Sequence, residues 1–552
     1  MVASGPDMKL FAACFTSLIA TSFGFIVRVF LMDTWATEFG LSATQKGEIF
    51  GVGLWPFAIS IVLFSLIIDK IGYRTAMFFA FICHAAYMAI VIAAPTLVAQ
   101  GMSGYWVLYL GSFIGALGNG TVEAVINPVV ATMFKEQKTK WLNILHAGWP
   151  GGLVLGGILA LLLGDSTVST PEWLSSDWRL KVGLVGLPVF AYGALMLVCK
   201  FPVNERVAAG VSFRDMLKEV GMLGAFLVSV LIVFELANVA EKFGLKLGDE
   251  GMYVKVGVAA AIAIGFGLYT MSLGRPLFVI LMLIMVPLAI TELGTDSWIS
   301  DLMTPVMKKL GQEYFKLPDG LKGAWVLIYT SFIMMVLRFC AGPIVHKISP
   351  LGLLAVSAGI AAVGLFSLSL ATGIAIIFAA TLYAFGKTFF WPTMLGVVSE
   401  QFPKGGALTL NAIAGLGMMA VGIVGSPLLG NVQDKEIDKE LKANHAGLHA
   451  KIMGDEKPSV FGTYQPVDDK KLDAFAEEEK KVVLKPDEDK PKPAKVIVAE
   501  TGNAAKKSAL TTVAIFPIIM LVSYLLLLVY FRSRGGYKAV KLHEEPTAPT
   551  EY

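Results

Sequence analysis

Apolar residues dominate long stretches of this chain and are interrupted only by short polar segments. Fourteen such stretches are about 20 residues or longer, which is the length that a helix needs to cross the hydrocarbon core of a bilayer. The pattern therefore predicts an all-α polytopic membrane protein with about 14 transmembrane helices. They lie at about 9–32, 44–68, 75–95, 105–133, 141–163, 180–200, 221–240, 253–273, 276–299, 323–345, 351–371, 373–399, 407–430 and 509–531.

One polar segment stands out between the last two apolar stretches. It is rich in Lys, Asp, Glu and Pro and cannot cross a membrane, so we expect a largely flexible loop with a small ordered piece near 460–467. The hairpin at 221–273 is an insertion between two sets of six helices. The predicted divisions are an N-terminal half (1–200), a cytoplasmic linker with the inserted hairpin (201–275) and a C-terminal half (276–552), which includes the extracytoplasmic loop 431–507 and a cytoplasmic tail (532–552).

The two sets of six helices repeat each other at a constant spacing. The matching positions are 268 residues apart: Gly118 and Gly386, Phe134 and Phe402, Leu142-Asn143 and Leu410-Asn411. In this register Glu123 corresponds to Trp391 and Asn119 to Lys387. Parallel half-repeats of this kind are typical of major facilitator transporters.

Composition excludes several classes of function. Of the 552 residues, 55% are hydrophobic and 16% are charged, and the net charge of +3 gives no basis for nucleic acid binding. The four cysteines have neither disulfide nor zinc-ligand spacing, so we expect no metal and no cofactor. The chain has no Walker loop, which argues against an ATP-driven pump, and we expect no enzyme activity.

Lysine and arginine are concentrated in the short loops on one side of the predicted helices. The short loops on the other side are acidic or mixed. The positive-inside rule then places both termini in the cytoplasm. We expect a monomeric, multi-pass protein of the plasma (inner) membrane whose partners are the lipid bilayer, a small-molecule solute and protons.

The stretch from Gly115 to Gly152 carries the densest polar chemistry within apolar helices. Glu123 lies inside one apolar helix, with Asn127 one turn later. Asn143, His146 and Trp149 share roughly one face of the next helix because they are spaced i, i+3 and i+6. A carboxylate within the membrane is costly and marks a functional site, although a structural ion-pair or hydrogen-bond partner is the alternative.

This stretch also resembles a known family. The pattern Gly-x-Gly-x-x-Glu-x-x-x-Asn-Pro, followed by a basic loop and then Leu-Asn before a Gly-rich helix, is similar to helices 4 and 5 of the fucose:proton symporter family. That family belongs to the major facilitator superfamily. The pattern consists here of Gly118, Gly120, Glu123, Asn127, Pro128, Leu142 and Asn143.

A second resemblance lies after the second predicted helix. Asp69, Gly72 and Arg74 match the superfamily's loop between helices 2 and 3, although Ser65 and Lys70 depart from its pattern. Gly72 permits a tight turn, and Asp69 can pair with basic groups. The predicted gating residues are Asp69, Gly72, Arg74, Arg338 and His346.

The resemblance implies alternating access, with Glu123 as the residue that carries the proton. The family also has an acidic residue within helix 1, whereas this chain has Arg28 in that region and Asp33 nearer the outer end. Arg28 either pairs with Glu123 in one state and releases it in another, or is a static partner or snorkelling side chain. The predicted proton-coupling residues are therefore Glu123, Arg28 and Asp33.

A solute site is expected between the halves, near the midplane. Tryptophan rings can stack on the C–H face of a sugar, and amides can bond its hydroxyls. The predicted substrate-binding residues are Asn127, Asn143, His146, Trp149, Glu292, Lys387, Trp391 and Asn411.

Taken together, the sequence favours a secondary active transporter of a small polar solute, a sugar, coupled to protons. Two alternatives stay open. One is proton-driven efflux of an amphipathic compound, and the other is a non-transporting sensor on a transporter scaffold.

Overall fold

The computed structural model describes residues 7–163, 177–242, 244, 251–314, 316, 324–456, 462–479 and 492–542. Within them the regular structure is helical, apart from one isolated bridge between Met453 and Val467. Thirteen helices are long and apolar enough to cross a membrane, and a shorter apolar helix lies at Trp325–Phe339. The predicted all-helical membrane architecture is confirmed.

Six helical segments form the N-terminal half. Three of them are broken once, in each case beside a Gly and within a few residues of a Pro, the two residues that most weaken a helix interior. In chain order they are α1 (Met8–Phe39), α2 (Ala43–Gly51 and Trp55–Ile71), α3 (Tyr73–Ile92), α4 (Gly104–Met133), α5 (Lys138–His146 and Gly148–Leu162) and α6 (Trp178–Leu184 and Gly186–Val198).

The inserted hairpin and the C-terminal half follow. The hairpin is α7 (Phe213–Lys242) and α8 (Gly251–Thr270). The remaining membrane segments are α9 (Pro276–Ala289), α10 (Ala324–Phe339, continued by Ala341–Ile348), α11 (Pro350–Leu370), α12 (Ala375–Lys387 and Phe390–Gln401), α13 (Gly406–Ala420) and α14 (Ala494–Val513 and Ile515–Ser533). A further helix, Asp296–Tyr314, follows α9.

The exposed surface of these helices is largely apolar. Leu197, Phe378 and Leu526 are each 66–71% exposed, and many similar side chains surround the bundle. A water-soluble monomer rarely leaves so much apolar surface uncovered, so this surface fits a lipid environment. α8 is the most peripheral of the spans, with 22% of its most apolar stretch buried.

The repeat seen in the sequence has the same backbone geometry in both halves. Phe134 ends α4 with φ −121° and ψ 50°, and Phe402 ends α12 with φ −127° and ψ 52°. Each is followed by one 3-10 turn, Lys135–Gln137 or Pro403–Gly405, and then by the next helix. The constant spacing therefore reflects a repeated helix–turn–helix unit.

Both ends of the described chain lie at the same face of the bundle. The ring of Phe11, near the start of α1, packs on Trp141 at 5.1 Å between centroids. At the other end, Lys541 pairs with Glu136 at 3.0 Å. We call this the basic face, because the Lys- and Arg-rich loops 135–140 and 201–218 lie there.

The polar segment 431–507 differs from its prediction. Instead of a largely flexible loop, its described residues are mostly helical: α13 continues through a π-helical turn into Ser426–Asn444, and Ala446–Ile452 and Asp469–Glu479 follow before α14. We call the described part of residues 426–507 the helical cap, which includes the first, polar turns of α14. Its small apolar core consists of Ile437, Leu441, Ile452, Met453 and Ala505. These helices are amphipathic and pack their few apolar side chains against one another. The charged composition of the segment gave no indication of this packing.

Gly120 places α4 directly against α2. A Cβ atom at this position would overlap the carbonyl oxygen of Phe57 and lie 2.8 Å from the Cβ of Ser60. Gly120→Ala is therefore expected to destabilise the folded protein by about 1–3 kcal/mol, because the helix backbones cannot separate without opening the core. Gly183→Ala, where the added Cβ has no neighbour within 4 Å, is the control. Thermal unfolding in detergent measures both, and equal midpoints for the two variants would contradict the prediction.

Candidate functional site

Glu123 lies in the middle of α4 and is 4% exposed. Its Oε2 accepts a hydrogen bond from Asn127 Nδ2 at 2.7 Å, and the same nitrogen donates to the Glu123 carbonyl oxygen at 3.0 Å. The two side chains can meet because they are one helical turn apart. The carboxylate is thereby held by an amide and not by a cation.

His146 on α5 extends this arrangement. Its Nε2 lies 2.8 Å from Asn127 Oδ1. An amide oxygen can only accept, so Nε2 carries a hydrogen and donates. The result is a directed chain of hydrogen bonds from His146 through Asn127 to Glu123, which joins α5 to α4.

A buried ion pair faces this chain from the C-terminal half. Arg338 Nη2 donates to Glu292 Oε1 at 2.8 Å, and the exposures of the two side chains are 2% and 5%. The backbone N–H of Trp391 donates to Glu292 Oε2 at 2.9 Å. Lys387 Nζ donates to the Glu292 carbonyl oxygen at 3.3 Å. Each oxygen of the Glu292 carboxylate therefore has a donor.

Arg338 also connects the two halves. Its Nη1 donates to the carbonyl oxygen of His146 at 2.8 Å, and its Nε donates to that of Thr388 at 2.8 Å. The first bond crosses from α10 to α5. The guanidinium thus uses three of its nitrogens to fix Glu292, the end of the first α5 segment and the break in α12 in one arrangement.

A small cavity lies between these groups. Polar side chains from both halves line it, and the rings of Trp149 and Trp391 also face it. Its full lining is Phe57, Glu123, His146, Trp149, Glu292, Leu293, Arg338, Trp391 and Met418. The structure therefore brings six of the predicted site residues together around one space, with Asn127 and Lys387 in contact with them.

Two predicted substrate-binding residues lie elsewhere in this structure. Asn143 Nδ2 donates to Thr393 Oγ1 at 3.1 Å, and Asn411 Nδ2 donates to the carbonyl oxygen of Ala124 at 3.0 Å. Both bonds cross from one half to the other, and both are buried. In this conformation the two asparagines hold the halves together and do not line the cavity.

The predicted proton-coupling residues are not all gathered at the cavity. Asp33 is exposed and pairs with Lys46 at 2.8 Å, which is an ordinary surface ion pair. Arg28 is buried in a second cavity and forms no ion pair with Glu123. The resembling family has an acidic residue within helix 1, but the described residues of α1 include no buried Asp or Glu.

Arg338 was predicted to be a gating residue near the inner end of its helix, and this role stays a prediction. The residue lies in the last turn of Ala324–Phe339, where its side chain lines the cavity and pairs with Glu292. The predicted span of 323–345 is two helices in the structure, Ala324–Phe339 and Ala341–Ile348. The side chain of His346 lies outside the described residues.

The other predicted gating residues lie together at the basic face. Asp69 forms an ion pair with Arg206, and Arg74 Nη2 donates to the carbonyl oxygen of Leu197 at 3.0 Å. Gly72 has φ +80° and joins α2 to α3, so the expected tight turn is present. These contacts tie the end of α6 and the segment that follows it to the α2–α3 turn.

The sequence pattern did not reveal a second group at this face, centred on Glu400. Its Oε1 accepts from Thr139 N at 3.2 Å and Thr139 Oγ1 at 2.5 Å, which joins the halves. Its Oε2 accepts from Tyr537 in the C-terminal tail at 2.8 Å. Burial and the Glu400 carboxylate raise the pKa of Tyr537, so the phenol stays protonated and donates. One feature of the sequence could have indicated this group: Glu400 lies two residues before Phe402, which is one of the positions repeated between the halves.

The fold and the cavity define a class of protein. Two related helical halves, joined at one face and enclosing a buried polar cavity, form the architecture of a secondary transporter. Among the described residues no group of three or more His, Cys, Asp or Glu side chains is placed to hold a metal ion.

Comparison with known proteins identifies the family. Residues 10–427 match the Major Facilitator Superfamily, and the chain belongs to that superfamily. It is therefore a multi-pass membrane protein of a superfamily whose members are transporters and not enzymes.

The relatives found by sequence are distant. The class E tetracycline resistance protein of Escherichia coli is 24% identical over 233 residues, which cover 40% of this chain and 53% of that protein. The chain thus spans about half the length of this relative.

Two solved structures share the fold. The E. coli fucose:proton symporter has 16% identity and a TM-score of 0.50, with 92% of this chain and 98% of that chain covered. The proton:xylose symporter bound to 6-bromo-6-deoxy-D-glucose has 15% identity and a TM-score of 0.51, with 80% and 91% covered.

Proposed function

We propose that this protein couples the movement of a small polar solute of the sugar class to a proton gradient, by alternating access to the cavity between its halves. The observation that carries the proposal is the chain from His146 through Asn127 to Glu123, which faces the Glu292–Arg338 pair across that cavity. One acid is bound by an amide, and the other is neutralised by a cation.

This difference assigns separate roles to the two acids. The Glu292 carboxylate is bound by the Arg338 cation and a backbone N–H, so its role in this proposal is structural. Glu123 has only an amide as its direct hydrogen-bond partner, so both its protonated and its ionised forms can be accommodated. Glu123 is the group that loads and releases the proton.

The cargo assignment draws on the lining of the cavity. Trp149 and Trp391 offer apolar ring faces, while Glu123, His146 and Arg338 offer polar groups between them. A sugar needs both, because its C–H face stacks on aromatic rings and its hydroxyls form hydrogen bonds. The names of the fucose and xylose symporters with this fold agree with such a cargo.

Efflux of an amphipathic compound is the second candidate. The apolar part of the lining, Phe57, Leu293 and Met418, and the names of the tetracycline resistance relatives favour it. In this function Glu123 would carry a proton inward as the compound moves outward.

The orientation follows from the basic face. We propose that this face, which holds both ends of the described chain, is cytoplasmic, that the helical cap lies on the outer side of the plasma membrane, and that the transporter is a monomer. The predicted division into halves at 1–200 and 276–552, with the hairpin between them, is kept in this proposal.

The test is uptake by purified protein in proteoliposomes. Labelled hexoses and pentoses are offered with and without an inward proton gradient, to wild type and to Glu123→Gln. We expect the gradient to drive accumulation in wild type. We expect Glu123→Gln to lose more than about nine-tenths of that accumulation while exchange of labelled for unlabelled solute continues.

The outcome depends on where the proton binds. Glutamine keeps the size and hydrogen-bonding capacity of a protonated glutamate but cannot release a proton, so binding survives and coupling does not. Equal accumulation by the two proteins would refute the role of Glu123. A lack of sugar flux under any gradient, together with tetracycline-driven proton movement, would support efflux.

A further inference from the structure

Arg28 is the least compensated charge in the described part of the protein. It lies on α1 with 4% exposure, and its Nε and Nη2 have no hydrogen-bond partner. Its guanidinium lies over the ring of Phe25, 5.6 Å from the centroid, and against Gly53, where any Cβ would overlap it. A buried cation without a counter-ion is costly, so a ligand that supplies negative charge would be strongly favoured.

The surrounding cavity offers hydrogen-bond donors and contains no carboxylate among its described lining. Its lining includes Arg28, His84, Tyr87 and Asn119. The Tyr87 hydroxyl is buried without a partner. His84 Nε2 lies 2.9 Å from Asn119 Oδ1, and His84 Nδ1 lies 3.0 Å from the Tyr192 hydroxyl.

These distances fix the direction of the hydrogen bonds. The Asn119 oxygen can only accept, so His84 Nε2 donates to it and Nδ1 accepts from Tyr192. Both imidazole nitrogens are then used, and the donors of Asn119 Nδ2, Tyr87 and Arg28 remain for a ligand. A cavity with three hydrogen-bond donors and no acid in its described lining is suited to bind an anion such as a carboxylate.

The second cavity adjoins the first. Asn119, which lines the Arg28 cavity, and Glu123, which lines the central one, are one turn apart on α4, or about 6 Å along the helix. The rings of Phe25 and Trp149 stand between the two cavities with their centroids 6.0 Å apart. A solute that occupies both cavities has to pass these two rings.

We infer that the solute is a sugar acid whose carboxylate binds Arg28, Tyr87 and Asn119 while its hydroxylated ring lies between Trp149 and Trp391. This inference rests on the proposed function and narrows its substrate class. Phe25 turns aside to join the two cavities when the solute is bound.

The test compares sugars that differ only in the acid group. Uptake of D-glucuronate is measured against D-glucose, and of D-galacturonate against D-galactose, in proteoliposomes under an inward proton gradient. Wild type is expected to favour the acid of each pair by about tenfold or more in kcat/KM, because only the acid supplies the missing negative charge.

The variants locate that preference. Arg28→Gln is expected to lower the ratio of acid to neutral uptake by about tenfold or more, Arg28→Lys to retain part of it, and Tyr87→Phe to lower it several-fold without any change of charge. Arg532→Gln, at the exposed end of α14, is the matched loss of an arginine and is expected to keep the wild-type ratio.

Each result separates the inference from the proposed function. Accumulation of a neutral sugar with no preference for its acid would overturn the inference and leave proton-coupled sugar transport standing. A preference for acids that survives in Arg28→Gln and Tyr87→Phe would also overturn it, because the carboxylate would then bind elsewhere. A lack of uptake of all four sugars would overturn both.

Discussion

Glu292→Gln is expected to destabilise the protein by about 3–5 kcal/mol and to abolish transport, because it leaves Arg338 as a buried cation without its counter-ion. The two side chains are 5% and 2% exposed, so water cannot replace the lost carboxylate. The backbone N–H of Trp391 also loses its charged acceptor, whereas Lys387 keeps its bond to the carbonyl oxygen of residue 292. Thermal unfolding in detergent and uptake in proteoliposomes measure the two effects.

A double variant distinguishes the ion pair from a general defect. Glu292→Gln combined with Arg338→Met removes both charges, so we expect it to regain much of the lost stability while transport remains absent. Glu500→Gln, which breaks an exposed pair with Lys492, is the control and is expected to unfold at the wild-type temperature. If Glu292→Gln unfolded at the wild-type temperature as well, the buried pair would not hold the halves of the site in place.

Gly396→Val is expected to abolish transport while leaving a folded protein, because it prevents closure of the halves at the basic face. A Cβ at this position would overlap the side chain of Thr139 and lie 2.8 Å from its Cα. The contact crosses between α12 and α5, beside the bonds from Thr139 to Glu400. The populations of the closed and open states are therefore expected to shift by at least about tenfold toward the open state, or about 1.4 kcal/mol.

A single cysteine can report this opening. Ser399 is 4% exposed, and its carbonyl oxygen accepts from Lys138 across the interface. In Ser399→Cys protein without the native Cys14, Cys83, Cys199 and Cys340, maleimide labelling in detergent is expected to be about ten times faster with Gly396→Val. Gly422→Val, where an added Cβ meets nothing within 4 Å, is the control. Slow labelling with normal transport in Gly396→Val would show that this contact does not govern closure.

The helical cap shows where composition misleads. Its Lys-, Asp-, Glu- and Pro-rich sequence predicted a flexible loop, yet Ile437, Leu441, Ile452 and Ala505 form a shared core. These residues are far apart in sequence, and each lies on a helix that is mostly polar. The sequence does not show that these few apolar residues meet in one core; the packing of the helices in the structure does.

The site was partly readable from the sequence. Glu123, Asn127 and His146 were found because polar residues at helical spacing are conspicuous in an apolar helix, and Trp391 because the repeat places it opposite Glu123. The sequence placed Arg338 near the end of its helix but did not show that it pairs with Glu292 at the cavity. Asn143 and Asn411 were identified as polar, but the sequence did not show that they bond between the halves.

The sequence by itself determined the membrane class, the helical segments, the repeat and the polar positions within the helices. These follow from local rules: the bilayer requires helices of a certain length, and charge within them is rare. Only the tertiary structure decided which charges are paired. Glu292 lies against Arg338, Glu123 has only an amide, and two nitrogens of Arg28 have no partner, because electrostatic neutralisation depends on distances between helices that no spacing along the chain encodes.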